Sequence, residues 1–497
     1  MIRTADIIAI LIFLLGMAGM GLYFARQNRS TEAYFLGNRA FPGWAIGLSM
    51  LGTSISSVTF LALPAAAYVL DFRMLTPNLT LPVVAVIAIF VFIPFFRRGL
   101  TVSAYEYLEN RFGLGVRMYV AIYFVLNQFL RLAIILYLVS IPVAAMSGID
   151  IVSVIIIGGA IICFYTVLGG IEAVIWTDVI QTVILLLGGI FCFAVIVSGL
   201  PGGLGEILRV GAEHNKFSLG PLDFNLSERT FGLMTLLGLV SFIGEYCGNQ
   251  NVVQRYLAAS SMREARKATL ICAAMSVPTW GFFYFLGSCL FVYYLAFPSP
   301  AVASLSADDI LPYFIATRTP PGIGGIIIAG CLAAAMSSLD SSINAISTIF
   351  TVDFVRRFRK QPDDRKDLRV AKWTALAAGL FMIIGAVGIS KLPKESIMDL
   401  SLTIGAVLGG AALAPYLLGF FVRRVGYHAL IAGMIAALAF NFYNSLNYLQ
   451  LLPSLLGVRY HIYWTGIFAN LIMFVTALVY SIFRPAPPPP PGMTVYR

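Results

Sequence analysis

Thirteen apolar runs divide this chain, and each is long enough to cross a lipid bilayer. They lie near residues 4–25, 44–70, 76–98, 118–147, 151–170, 173–199, 229–253, 268–297, 322–351, 371–390, 396–422, 427–446 and 461–483. About 20 apolar residues span the ~30 Å hydrocarbon core. In lipid every backbone N–H and C=O must find its partner within the protein, so the runs are expected to be helices. The predicted fold class is an all-α integral membrane protein with about 13 transmembrane helices and the lipid bilayer as its solvent. At 59% hydrophobic and 11% charged over 497 residues, the chain is far from the ~25% charged content of soluble domains. That composition excludes a soluble, disordered or nucleic-acid-binding protein.

The connections carry the charge. With the N-terminus placed outside, 23 of the 33 lysines and arginines fall in inner loops, 9 in outer ones, and Arg131 lies within a span. The inner set includes Arg97, Arg98, Arg111, Arg117, Arg255, Arg263, Arg266 and Lys267. The bias predicts an N-out, C-in topology in the plasma (inner) membrane. It also accounts for the net charge of +10 as cytoplasmic anchoring. The six cysteines all fall in apolar runs without metal-type spacing, and the three histidines lie far apart. No cleavable signal peptide is expected, because the first run lacks a basic leader. The phosphate-binding pattern G-x-x-x-x-G-K-[ST] does not occur, so no ATPase subunit is expected.

Two runs are interrupted in mid-membrane. The second contains Gly52-Thr-Ser-Ile-Ser-Ser-Val-Thr59, and the seventh contains Gly244-Glu-Tyr-Cys-Gly-Asn-Gln-Asn251. Four spans separate them, which predicts two five-helix halves, 44–199 and 229–425, each opening with a broken helix. An extra helix and inner loop (1–43) precede them, and an outer connection (200–228) joins them. Two helices (426–484) and a disordered proline-rich tail (485–497) follow. Paired broken helices at matching positions point to a midplane binding site, where freed carbonyls bind cations. Glycine and serine in spans also serve close helix packing, so either segment alone is ambiguous.

A charge at the bilayer centre costs at least ~2.5–3.5 kcal/mol and needs a partner or a cavity. Arg131, Asp178, Glu245 and Asp340 are such charges. In Ser337-Ser-Leu-Asp-Ser-Ser342, residues Ser337, Asp340 and Ser341 share one helical face. Hydroxyl and carboxylate oxygens without Cys or His suit a hard cation such as Na+. Asp178 is equally read as anchoring a helix end. Arg131 is either a guanidinium fork for a substrate carboxylate or the ion-pair partner of Asp178, Glu245 or Asp340. Glu245 is either a ligand for substrate hydroxyls or that internal partner.

These segments resemble a known family. Thr53-Ser-Ile-Ser-Ser-Val-Thr-Phe60 with Pro64-Ala-Ala-Ala-Tyr68, the run Tyr165-Thr-Val-Leu-Gly-Gly-Ile-Glu-Ala-Val-Ile-Trp-Thr-Asp-Val-Ile-Gln181, Asn249-Gln-Asn-Val-Val-Gln-Arg255 and Ser337–Ser342 resemble sodium/solute symporters, in order over about residues 4–483. Ser56, Thr59, Arg131-Leu-Ala-Ile-Ile and Ser103-Ala-Tyr-Glu-Tyr-Leu look most like the bacterial sialic acid (N-acetylneuraminate) branch. The resemblance implies an inverted five-helix repeat and a shared sodium site at Gly52, Ile55, Ala334, Ser337 and Ser338. It implies a second sodium at Asp178, Ser337, Asp340 and Ser341, where Asp340 replaces a serine of that branch; one or two Na+ are therefore expected. It also implies substrate contacts at Ser54, Ser56, Thr59, Met74, Asn78, Arg131 and Glu245. Here Met74 replaces an aromatic residue, Asn78 a glutamine and Glu245 a neutral amide. The expected function is sodium-coupled import of a small carboxylate-bearing solute, first a sialic acid, by alternating access, with no enzymatic step. A sodium-coupled sugar, vitamin or monocarboxylate symporter with Arg131 internally paired is the second reading, and an ion channel or membrane sensor is a distant third.

Overall fold

A computed structural model describes residues 4–25, 30–97, 102–223, 225–358, 363–392, 411–448 and 460–495. Among them all regular structure is helical, apart from one isolated bridge between Phe41 and Ala259. The long elements are α1 (Thr4–Ala25), α2 (Gly43–Ser54), α3 (Val58–Val69), α4 (Phe72–Phe96), α5 (Leu114–Ser147), α6 (Ile151–Gly199), α7 (Phe231–Gly248), α8 (Gln250–Ala258) and α9 (Met262–Ala296). They continue with α10 (Ile323–Val355), α11 (Asp364–Ser390), α12 (Leu413–Phe421), α13 (Tyr427–Tyr448) and α14 (Trp464–Phe483). Among the described residues ten helices are long and apolar enough to cross a membrane, and α2 with α3, bent by 60°, makes an eleventh if the pair is one span.

The expected runs 151–170 and 173–199 appear within α6. At ~1.5 Å per residue its 49 residues would reach ~74 Å, more than twice the hydrocarbon thickness. Gly170 interrupts it, with φ 55° and ψ −161°. A Cβ there would stand 2.9 Å from the Tyr34 carbonyl oxygen, so a residue without a side chain is required. Most of the run 396–422 lies outside the described residues; its end is α12.

Polarity is arranged for lipid. Ile12, Leu15, Phe90 and Ile384 are each about 70% exposed on the outer faces, where water would disfavour them and hydrocarbon does not. The interior is built on α10, buried along nearly its whole length. It meets α6 at Gly188 and Gly330, where a Cβ on Gly188 would lie 3.3 Å from the Gly330 Cα. Small residues let the two backbones approach, which is how helices associate where no hydrophobic effect separates them from lipid.

The tail differs from expectation. Residues through Val495 are described and lie against the helix ends rather than free. Ala486 N–H donates to Arg424 O (3.0 Å), Tyr107 O–H to Met493 O (3.1 Å) and Val495 N–H to Phe420 O (3.1 Å). The apolar Met493 and Val495, just past the prolines, pack on the core and anchor the segment.

Gly287 of α9 packs on α3, where a Cβ would stand 2.2 Å from Pro64 O. Gly287→Ala is expected to destabilise the protein by about 1–3 kcal/mol through overpacking. Gly281→Ala, on the same helix with nothing within 4 Å, is the control. Thermal unfolding of both variants in detergent checks the difference.

Candidate cation and substrate site

The first break is made by residues that leave a helix early. Ile55 is extended (φ −102°, ψ 109°), its N–H still bonded to Leu51 O, and α3 resumes at Val58 with a π-helical turn. The carbonyls of the last turn of α2 thereby lose their usual intrahelical partners. Two hydroxyls of α10 reach them: Ser337 Oγ donates to Gly52 O (2.6 Å) and Ser338 Oγ to Thr53 O (3.1 Å). Ser337 Oγ also lies 3.4 Å from Ala334 O. Gly52, Ala334, Ser337 and Ser338 thus converge, with Ile55 at the turn where α2 stops. Gly52 must be glycine, since a Cβ would meet Thr182 Oγ1 at 2.7 Å. Carbonyls and hydroxyls between the end of α2 and α10 thus supply hard, neutral oxygens of the kind an alkali cation takes.

Two members of the second expected set, Asp178 and Ser341, meet at a residue assigned above to an inner loop. Arg255 is 1% exposed. Its Nη2 donates to Asp178 Oδ2 (2.8 Å), Thr53 Oγ1 (2.6 Å) and Ser341 Oγ (2.7 Å), its Nε to Ser49 Oγ (2.9 Å), and its Nη1 to Asn251 O (2.7 Å). Counting it among anchoring charges was an error of depth: α8 carries it inward from the second break. Its partners are scattered through the chain, so only the QR motif itself hinted at a role. Asp340 accepts from Tyr165 O–H (2.9 Å) and lies beside Ser341. The guanidinium is thus paired with Asp178 alone, whose Oδ1 has no hydrogen bond among the described residues, while Asp340 is held by the Tyr165 hydroxyl. Asp178 sits in the interior of α6 rather than capping a helix end.

Arg131 has no ion pair or hydrogen bond among the described residues, and each acid considered for it is engaged elsewhere. Asp178 holds Arg255, Asp340 accepts from Tyr165, and Glu245 Oε2 accepts from Asn249 Nδ2 (3.0 Å). The internally paired reading of Arg131 is therefore not realised. Arg131 is half-buried and lies one turn before Ile135, whose carbonyl accepts from Ser57 Oγ (3.4 Å), so it stands beside the first break. Ser56 and Thr59 are buried at that break, and the hydroxyls of Ser54 and Thr59 have no hydrogen bond among the described residues.

Met74 and Asn78 would share a face in an α-helix. Phe72–Thr80 is instead a 3₁₀ segment, in which residues three apart eclipse. The two side chains therefore point a third of a turn apart. Met74 Sδ lies 3.8 Å from Arg229 Nη1, a neighbour sequence reasoning missed. At the second break Asn249 ends α7 and begins α8, its side chain accepting from Asn251 N–H (2.9 Å). A cavity of about 340 Å³ opens there, lined by Tyr105, Tyr123, Ser241, Glu245, Asn249 and Asn470 among others. Tyr123, Asn127 and Arg131 follow at four-residue spacing on α5, with Asn127 Nδ2 donating to Tyr123 Oη (3.2 Å). This polar stripe leads from the cavity toward Arg131.

A multi-pass helical bundle with an oxygen cluster at a broken helix defines a cation-coupled secondary transporter. A model of the sodium:solute symporter family matches residues 34–437. The chain belongs to that family and is a sodium-coupled solute symporter. It is 34% identical to the sodium/sialic acid symporter SiaT of Proteus mirabilis over 442 residues, 88% of this chain and 89% of the relative. A solved substrate-bound, outward-open Na+-coupled sialic acid symporter superposes with TM-score 0.88 at 31% identity, covering 98% of this chain and 99% of that one. Mhp1, a nucleobase-cation-symport-1 family transporter in a closed conformation, shares the fold at TM-score 0.58 and 15% identity, covering 92% and 96%.

Breaking a buried ion pair from one side leaves a bare charge and costs about 3–5 kcal/mol. Arg255→Met is expected to lower unfolding stability by that order. Adding Asp178→Asn recovers part of the loss by removing the stranded carboxylate. Denaturation of the single and double variants measures the coupling.

Proposed function

We propose that this symporter imports a small carboxylate-bearing organic solute, a sialic acid first, by alternating access. The reading is of the plasma (inner) membrane with the N-terminus outside and the C-terminus cytoplasmic. It takes thirteen spans in all, with repeats over 44–199 and 229–425. The observation that carries the substrate class is Arg131, a guanidinium beside a broken helix with no anionic partner among the described residues. A charge so placed needs a counter-ion, and a bidentate carboxylate is the one its fork fits.

In this reading Ser54, Ser56, Thr59 and Arg131 receive the carboxylate end, while Met74, Asn78 and Glu245 face the remainder. Sodium is held by the carbonyls of Gly52, Ile55 and Ala334 and the hydroxyls of Ser337 and Ser338. An ion there ties the two halves of the first broken helix to α10. It therefore favours whichever arrangement brings them together, which is all that an ion can do to a conformational equilibrium. Asp178, Ser337, Asp340 and Ser341 form the second ion's set, where one guanidinium leaves a surplus negative charge.

Energetics favour two ions. A tenfold sodium gradient supplies about 1.4 kcal/mol per ion. One sodium with one monoanion moves no net charge. A second adds the same amount and about 2.3 kcal/mol per 100 mV of membrane potential. Uptake of the anion is thus expected to generate inward current in proteoliposomes; silent but active uptake would leave a single sodium.

Three further outcomes are expected from uptake driven by an imposed sodium gradient. Labelled sialic acid accumulates, whereas neutral sugars and simple monocarboxylates do not compete. Arg131→Ala lowers affinity for the carboxylate substrate at least tenfold while sodium still stabilises the purified protein; selective loss of folding instead would refute the contact. Ser337→Ala abolishes the sodium dependence of both substrate binding and uptake.

A further inference from the structure

The face of α10 that carries Ser337 and Ser341 continues beyond them. Asn344, Thr348 and Thr351 follow at intervals of three and four, so all five lie on one side of the helix. Each is at most 2% exposed. At ~1.5 Å per residue the stripe is ~21 Å long. It faces α8: Arg255 donates to Ser341 Oγ (2.7 Å), and Gln254 Nε2 donates to Thr348 Oγ1 (3.2 Å). Asn344 lies between those two contacts and so faces α8 as well. Asn251, one turn before Arg255, lies on the opposing face.

Buried polar side chains nearly always have partners, and clustered exceptions mark ordered water or an ion. Several of the exceptions among the described residues lie along this stripe and on α8 opposite it. Both polar side-chain atoms of Asn344, both of Asn251, Thr351 Oγ1 and Asp353 Oδ2 are buried without a hydrogen bond. A dry interior does not leave six such atoms unsatisfied on two facing helices. The stripe runs out at a cluster of acidic and basic side chains. Asp353 Oδ1 accepts from Ser103 Oγ (3.1 Å) and Arg117 Nε (2.5 Å), and Arg117 also holds Glu109 (2.5 Å). Beside them a cavity of about 420 Å³ is lined by Glu106, Glu109, Asn110, Arg117, Val352 and Arg357 among others. Hydrogen bonds from Arg357 and Arg117 hold the Glu109 carboxyl below the usual carboxylate range, while burial pushes that of Glu106 up.

We propose that this stripe, with Asn251 opposite, is a water-filled conduit by which the coupling cation leaves the Gly52–Ser337 pocket for the cavity beside Asp353. The inference rests on the sodium reading of that pocket. Amide, hydroxyl and carboxylate oxygens at successive turns replace the ion's hydration piecemeal, and none is enough to trap it. Arg255 bars the way at Ser341 by charge and by bulk. The conduit opens when α8 carries the guanidinium away from Ser341.

The test uses full-length protein reconstituted in liposomes. Asn344→Leu removes the polar atoms while keeping the branched shape of the side chain. Sodium-dependent thermal stabilisation of the purified variant is expected to half-saturate within twofold of wild type, while its initial uptake rate falls at least tenfold. Asn344→Ser keeps more than a third of the rate. Normal stabilisation with a wild-type rate in Asn344→Leu overturns the conduit alone; no sodium stabilisation in the wild type overturns the pocket, and the conduit with it. Accessibility gives a measurement independent of that variant. Thr348→Cys should react with a small cationic methanethiosulfonate, applied from the Asp353 side, at least tenfold faster than the wild type, whose six cysteines are all buried. Failure of Thr348→Cys to react above that background overturns the proposal.

Discussion

A helix that stops inside a membrane leaves carbonyls that no water can satisfy, and the rest of this molecule is arranged around that debt. At Ile55 the chain goes extended, and the last turn of α2 presents Gly52 and Thr53 oxygens to its neighbour. The neighbour, α10, is the most enclosed helix and is lined with small hydroxyl residues. Its own burial in turn depends on glycine contacts with α6. An oxygen cluster that binds a hard cation is the natural product of a broken helix beside a serine-bearing one.

Charge follows the same logic one layer further out. Asp178 could not remain in the interior without compensation, and Arg255 supplies it from the second broken helix, while Tyr165 hydrogen-bonds Asp340. The two breaks are thereby joined electrostatically: α8 cannot move without altering what holds Ser49, Thr53 and Ser341. Arg131 is left outside this network. Asp178 has a guanidinium, Asp340 a tyrosine hydroxyl and Glu245 an amide, whereas Arg131 has no hydrogen bond or ion pair among the described residues.

The membrane class, the two interruptions and the cation-binding chemistry were legible in the residue order, because each is a local property. Gly52–Thr59 and Ser337–Ser342 carry their polarity in a single turn or two, and lipid admits few structures. The partner of Asp178 was not legible, nor was the lack of any partner for Arg131 among the described residues. Arg255 read as one more basic residue near an inner loop, since nothing in its neighbours states how deep α8 lies. The proline-rich end read as free because its composition favours extension, while its docking depends on Tyr107 and Phe420, far away in the chain.

Residue order by itself therefore determined that this chain lives in lipid, crosses it many times and breaks two of its helices, because hydropathy and backbone hydrogen bonding act over a few turns. Tertiary structure alone decided which oxygens meet at one point, which carboxylate holds which guanidinium, and that Met74 and Asn78 diverge on a 3₁₀ turn. Those outcomes depend on distances between segments some 80 to 290 residues apart, and on helix pitch, which no local pattern encodes.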